Sequence, residues 1–154
     1  MPSAVVRYEN TRFLLPSPAQ TLTIPSTAQK VITVGAYNAY VRSYAAFSGR
    51  GDAGSDRAEN NKPDLAAPGV NIRIGEGEGG AVVSGTSYAT PFVTAAAALL
   101  MEYGIMQGND PFLYGEKVKA YLHAGARQLP GYDIWPNDQV GWGALCVSES
   151  LPEK

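Results

Sequence analysis

Ser84-Gly85-Thr86-Ser87 stands directly before a small and apolar run that continues to Leu100, with Thr90 and Thr94 as its polar interruptions. A helix opening here puts Ser87 at or just before its N-terminus. Backbone N–H groups without intrahelical acceptors and the positive end of the helix dipole converge at that point, which suits a group that becomes negatively charged during reaction. A nucleophilic serine is one reading of Ser87. Ser and Thr are also the preferred helix N-caps, so the same residues equally support a purely structural reading.

The elements that must position this turn follow from pattern. No polar stripe at a 3.6-residue period appears before Glu102, which predicts a helix over Tyr88 to Tyr103 buried on nearly all sides. Pro91 falls in its first turn, where proline removes no hydrogen bond, and Gly104 is a candidate C-cap. Lys30 to Tyr37 (KVITVGAY) is a β-branched run closed by glycine and reads as a buried strand. Shorter strands are expected at Val5 to Tyr8, Leu22 to Ile24, within Tyr44 to Phe47, and at Asn71 to Ile74. After the glycine-rich loop Gly75 to Gly80, Ala81-Val82-Val83 leads into the serine turn.

Residues 49 to 62 are polar and without periodicity and predict an exposed loop. The Arg50-Gly51-Asp52 tripeptide within it is a short motif of the kind that arises by chance. Asn109 or Asp110, before Pro111, is expected to open a second helix reaching about Ala124. Glu116, Lys117, Lys119 and His123 would lie on its wet side and Val118, Tyr121 and Leu122 would face inward, with Gly125 closing it. Val140 to Leu145 places small and aromatic residues where backbone segments approach closely.

Composition narrows the function classes. The 154 residues are 45% hydrophobic and 17% charged, enough apolar content for a core in one domain or part of one. A net charge of −2 without a basic run argues against nucleic acid or an anionic membrane surface as partner. Phe92 to Met101, the longest apolar run, is short for a bilayer span. Cys146 is the single cysteine and His123 the single histidine, which leaves no intrachain disulfide and no evident metal set; no cofactor is implied. Arg7, Glu9 and Arg12 interrupt what a signal peptide would need as an apolar core.

Gly85-Thr86-Ser87-Tyr88-Ala89-Thr90-Pro91, with Val93 and the alanine run to Leu99-Leu100, closely resembles the nucleophile motif of the subtilisin-like serine proteases, the subtilases. Three further blocks look like signatures of that family in the expected order: Val31 to Tyr37, Lys62 to Val70 (KPDLAAPGV), and Gly141-Trp142-Gly143-Ala144-Leu145. The resemblance covers roughly residues 21 to 151. Its wording is most similar to the clostridial spore-germination-type subtilases, especially TLTIPSTAQKVITVGAYN and GNDPFLYGEKVKAYLHAGAR.

The resemblance implies a three-layer α/β fold with a mainly parallel sheet built around the buried helix, of which residues 1–154 are the C-terminal part; residues 1 to 20 could be the return from an upstream insert. It implies serine endopeptidase activity on peptide or protein substrates. Ser87 would be the catalytic nucleophile, its backbone N–H an oxyanion donor, and Gly85, Thr86, Ala89 and Pro91 its motif. The N-terminal portion of the catalytic domain would be its partner, and a secreted or spore-associated location is suggested. In subtilases the Asp and the His precede the Ser, yet no histidine precedes Ser87 here, and Asn10 does not stand in the context of the family's oxyanion asparagine. His123 falls where no family motif places a base, and Asp64 lies in a structural turn of the family; neither is assigned catalysis. The chain alone is therefore expected to be nearly inert. The competing reading, from another class, is a pseudoprotease that binds or senses without cleaving.

Overall fold

The computed structural model describes residues 14–52, 61–75 and 77–151. The strand expected at Val5 to Tyr8, Asn10, and most of the polar loop at 53–60 lie outside the described residues.

A three-stranded sheet forms the centre, ordered β2-β1-β3, from β1 (Val34–Asn38), β2 (Ser43–Tyr44) and β3 (Leu65–Pro68). β1 runs parallel to β3, with Ala36 opposite Ala67 and Tyr37 opposite Pro68, and antiparallel to β2. The apolar block expected from Lys30 becomes a strand only at Val34. The residues before it are drawn aside by side-chain chemistry: the Thr33 N–H donates to Asp64 Oδ2 at 2.6 Å, and Lys62 Nζ donates to the Val31 carbonyl at 2.7 Å. Leu22 to Ile24 forms no strand either. Chain pairing there stops at Gln20 and Thr21, whose N–H groups donate to the carbonyls of Gly51 and Arg50.

A separate antiparallel hairpin, β4 (Ile72–Ile74) and β5 (Ala81–Val83), leads to α1 (Thr86–Met101). α1 packs on β1 and β3. Gly104 does not cap it. The helix runs on as a π-helical turn over Glu102–Met106, and Gly104 is buried inside that turn, where a Cβ would come within 2.5 Å of Leu113. Together these make 21 helical residues, Thr86–Met106, containing an 18-residue stretch of mean hydropathy 1.3. That is long and apolar enough to cross a bilayer by length and composition, whereas the sequence run appeared to end at Met101. One side of it packs on the sheet.

The expectation that this helix is buried on nearly all sides is overturned. Ala89, Val93, Ala96 and Leu100 form a narrow buried stripe. Ser87, Thr90, Pro91, Phe92, Thr94, Ala95, Ala98, Leu99 and Met101 are all exposed. At 3.6 residues per turn those positions sweep an arc of roughly 200° without one charged side chain. Composition read the helix as a core helix, but no described segment of this chain covers that arc.

α2 (Glu116–Ala124) begins later than expected, because Asp110 to Gly115 make a turn held by the Leu113 N–H donating to Asp110 O at 3.0 Å. α3 (Val147–Ser150) packs on α2. The Gly141 to Leu145 segment closes the outer edge of β3: the Ala66 N–H donates to Gly143 O and the Leu145 N–H to Ala66 O, both at 2.8 Å. Gly141 is indispensable there, with φ 58° and a would-be Cβ 2.2 Å from the Pro63 carbonyl oxygen. The core gathers Ala36, Leu65, Ala67, Val93, Leu100, Leu113, Val118 and Leu122.

Candidate active site

Ser87 is the second residue of α1, one turn from the C-terminal end of the sheet. β3 ends at Pro68, and the next residue, Gly69, bridges to the serine turn: its N–H donates to Tyr37 O at 3.0 Å and its carbonyl accepts from the Gly85 N–H at 2.8 Å. Gly85 occupies the N-cap position and no side chain caps the helix. The capping reading of Ser87 therefore fails. Ser84, the other candidate cap, accepts instead from the Asn71 N–H at 2.9 Å. The Ser87 side chain is exposed, and the Thr86 and Ser87 N–H groups belong to the first-turn donors that have no intrahelical acceptor. No acidic residue occupies the first turn, so nothing there offsets the positive end of the dipole.

Of the motif residues, Ala89 is fully buried against the sheet, Pro91 lies on the open arc, and Thr86 is half-buried. The Thr86 carbonyl accepts from Thr90 Oγ1 at 3.0 Å. A cavity of about 430 Å³ adjoins this turn, lined by Leu22, Val31, Val34, Phe47, Thr86 and Thr90 among others. It touches the flank of α1 beside Ser87, not Ser87 itself, and brings no titratable group toward the hydroxyl.

The titratable cluster of this structure lies at the other end of the sheet. Asp64, 1% exposed, immediately precedes β3. Its Oδ2 accepts from the Thr33 N–H and from Lys62 Nζ, each at 2.6 Å, and its Oδ1 pairs with Lys119 Nζ at 2.6 Å. His123 Nε2 comes to 3.3 Å of the same Oδ1. That contact is one of proximity, because Nε2 has no hydrogen-bond partner by geometry. The imidazole stacks on Trp142, centroids 5.3 Å apart and 18° between planes.

Burial alone would raise the Asp64 pKa; His123, Lys119, Lys62 and the Thr33 N–H together outweigh it and hold the carboxyl down at about 2. Lys62 shifts down, with burial as the largest cause opposed by Asp64. Lys119 and His123, expected on the wet side of α2, thus turn inward, and Lys62, expected in an exposed loop, is buried. Pattern put them outside because charged residues usually are; a buried carboxylate drew them in. The signal that could have revealed the site was the Lys119–His123 spacing of four on one helix face, set against an aspartate inside an apolar block bounded by prolines.

These two places do not meet. From Asp64 to Gly69 the chain advances five residues in extended conformation, about 16 Å. His123 is tied to the first and Ser87 to the second. An imidazole accepting the serine proton must stand at roughly 2.6 to 3.2 Å, whereas His123 is held 3.3 Å from Asp64 Oδ1, at the opposite end of β3.

Comparison with known proteins bears on the family and the fold. The subtilase family model matches residues 13–143. The chain is 31% identical over 160 residues to serine protease AprX of Bacillus subtilis, covering 87% of this chain and 32% of that protein. It is 36% identical over 84 residues to the subtilase-type proteinase RRT12 of Saccharomyces cerevisiae, covering 53% of this chain and 15% of that one. Among solved structures it superimposes on the Clostridium perfringens CspB protease with a TM-score of 0.83 at 47% identity, over 93% of this chain and 30% of that one. On the patellamide maturation protease PatA it superimposes with a TM-score of 0.61 at 30% identity, over 86% of this chain and 46% of that one. The chain thus spans about a third or less of the curated relatives it matches.

Proposed function

Because this chain belongs to the subtilase family, we propose that it is the serine-bearing part of a serine endopeptidase, with Ser87 as the nucleophile. The observation that carries the reading is the exposed Ser87 on the first turn of α1, inside an arc of that helix free of charge. The Ser87 oxygen attacks a peptide carbonyl carbon while a histidine accepts its proton. That histidine then protonates the leaving amine, and water hydrolyses the acyl-enzyme to release the carboxylate and restore Ser87. The Ser87 N–H donates to the oxyanion; such a donor contributes about 2.7 to 4 kcal/mol to the transition state.

The histidine and the aspartate that orients it come, in this reading, from a preceding portion of the catalytic domain. That portion also covers the open arc of α1. Since Ser87 lies within the arc, a layer seated on it stands over the hydroxyl, where a base is required.

The test is labelling by a serine-directed fluorophosphonate. The 154-residue chain alone is expected to react no faster than a Ser87→Ala control, and to become labelled at Ser87 when joined to a polypeptide supplying the Asp and His portion. Labelling of the isolated chain that His123→Ala abolishes would refute this assignment of the base. A completed domain that never reacts at Ser87 would favour the binding or sensing role.

A further inference from the structure

Gly69 touches both the sheet and the serine turn, through hydrogen bonds and through close packing. Besides its hydrogen bonds to Tyr37 and Gly85, it packs so closely that a Cβ added there would lie 2.7 Å from Ala36 Cβ, 3.0 Å from Gly85 O and 3.4 Å from Ala89 Cβ. Its backbone is not in the left-handed region. What glycine supplies here is space: the absent side chain lets α1 settle onto the sheet at the level of Ser87.

We propose that Gly69 is a positioning residue for Ser87, an inference that rests on the nucleophile reading above. Ala36, Ala89 and Gly85 are the three groups an added methyl would press on, and they differ in how readily they yield. Ala36 is fully buried in the middle strand, held by β2 on one side and β3 on the other. α1 is held by a narrow stripe and is open over its outer arc. The methyl therefore lifts the N-terminal turn of α1 and carries Gly85 and Ser87 with it. Reaction geometry is sensitive to such a movement, since misplacement by about 1 Å can lower a rate on the order of a hundredfold.

The test compares two close-packed glycines at opposite ends of the helix, Gly69 packed against its first turn and Gly104 within its π-helical continuation. Gly69→Ala crowds the serine turn; Gly104→Ala crowds Leu113, where a Cβ would come to 2.5 Å. In the isotopically labelled chain, Gly69→Ala is expected to move the amide resonances of Gly85 to Tyr88 and to speed hydrogen exchange of the Gly85 N–H about tenfold or more, while Gly104→Ala leaves them in place. Adding Ala36→Gly to Gly69→Ala removes the 2.7 Å contact but not the one to Gly85 O, so the displacement should shrink without vanishing. Should Gly69→Ala fail to fold, the double variant read against Ala36→Gly alone carries the test. In the completed domain, Gly69→Ala should lower the Ser87 labelling rate about tenfold or more at unchanged KM for a peptide.

Resonances of Gly85 to Tyr88 that move no more in Gly69→Ala than in Gly104→Ala overturn the proposal, as does a double variant indistinguishable from Ala36→Gly. These readouts do not need activity. A chain whose serine turn moves as described while Ser87 stays unreactive after completion keeps the steric link and removes the nucleophile.

Discussion

The two ends of the central sheet are finished to different degrees. At the N-terminal end of β3, Asp64 is enclosed by Thr33, Lys62, Lys119 and His123, and Trp142 lies over the imidazole. Loop, strand, helix and C-terminal segment meet there, and every one belongs to this chain. At the C-terminal end, the serine turn is positioned with equal care from below, by Gly69, and is open above along the uncharged arc of α1. One end closes on itself and the other ends in a prepared surface. The difference teaches that the serine turn is supported from the sheet side while no described segment covers it from outside.

The largest expected effect falls on the closed end. Asp64→Ala leaves Lys62 and Lys119 buried without their counter-charge, and removing one partner of a buried charge cluster destabilises by about 3 to 5 kcal/mol. Urea unfolding of the variant against the parent chain measures it. A loss below about 1 kcal/mol would mean that the cluster is solvated and that the contrast between the ends is false.

Next comes Leu100→Ala on α1. Leu100 is fully buried, and truncating such a leucine removes both its transfer free energy and the contacts around the void, about 3 kcal/mol. The same unfolding experiment reads this loss, which should appear in the isolated chain because the sheet side of α1 is complete.

Acid sharpens the comparison in a different way. The folded Asp64 pKa of about 2 lies below the ordinary carboxylate value near 4, so the group contributes stability that is present above the unfolded pKa and is lost as pH falls through the folded one. The window runs from about pH 4 down to about pH 2 and the contribution is about 2 kcal/mol. Unfolding free energy followed across that window should fall in the parent chain. In Asp64→Asn this part of the decline should be missing. A parallel decline in both would assign the acid sensitivity to other carboxylates.

How much of this was legible in the sequence depends on how local each feature is. The serine turn is contiguous from Ser84 to Pro91, so its residues could be read in order, and the α/β class rested on the run Lys30 to Tyr37 and the helix beyond, together with the family resemblance. The Asp64 cluster draws on Thr33, Lys62, Lys119 and His123, spread over 91 positions from Thr33 to His123, and its meaning arises only when α2 folds back. The late start of β1 has the same cause. Exposure of α1 was illegible for the opposite reason. Its composition records the surroundings the helix is suited to, whereas its exposure depends on which segments are present to cover it.

The smallest expected effect comes from the residue beside Leu100. Leu99 is 51% exposed on the open arc, so about half of its surface stays in water on folding. Leu99→Ala should change the stability of the isolated chain by no more than about 0.5 kcal/mol, as substitutions at exposed positions away from special contacts do. Alanine also has the higher helix propensity, which offsets part of the apolar contact that is lost. If the arc is covered in the completed domain, Leu99 becomes a core residue there and the same substitution should cost about 2 kcal/mol or more. Two unfolding curves for one substitution, with and without the proposed covering portion, therefore measure how much of the contrast between the two ends that portion removes. Equal effects in both would show that the arc stays in solvent and that the base reaches Ser87 by another approach.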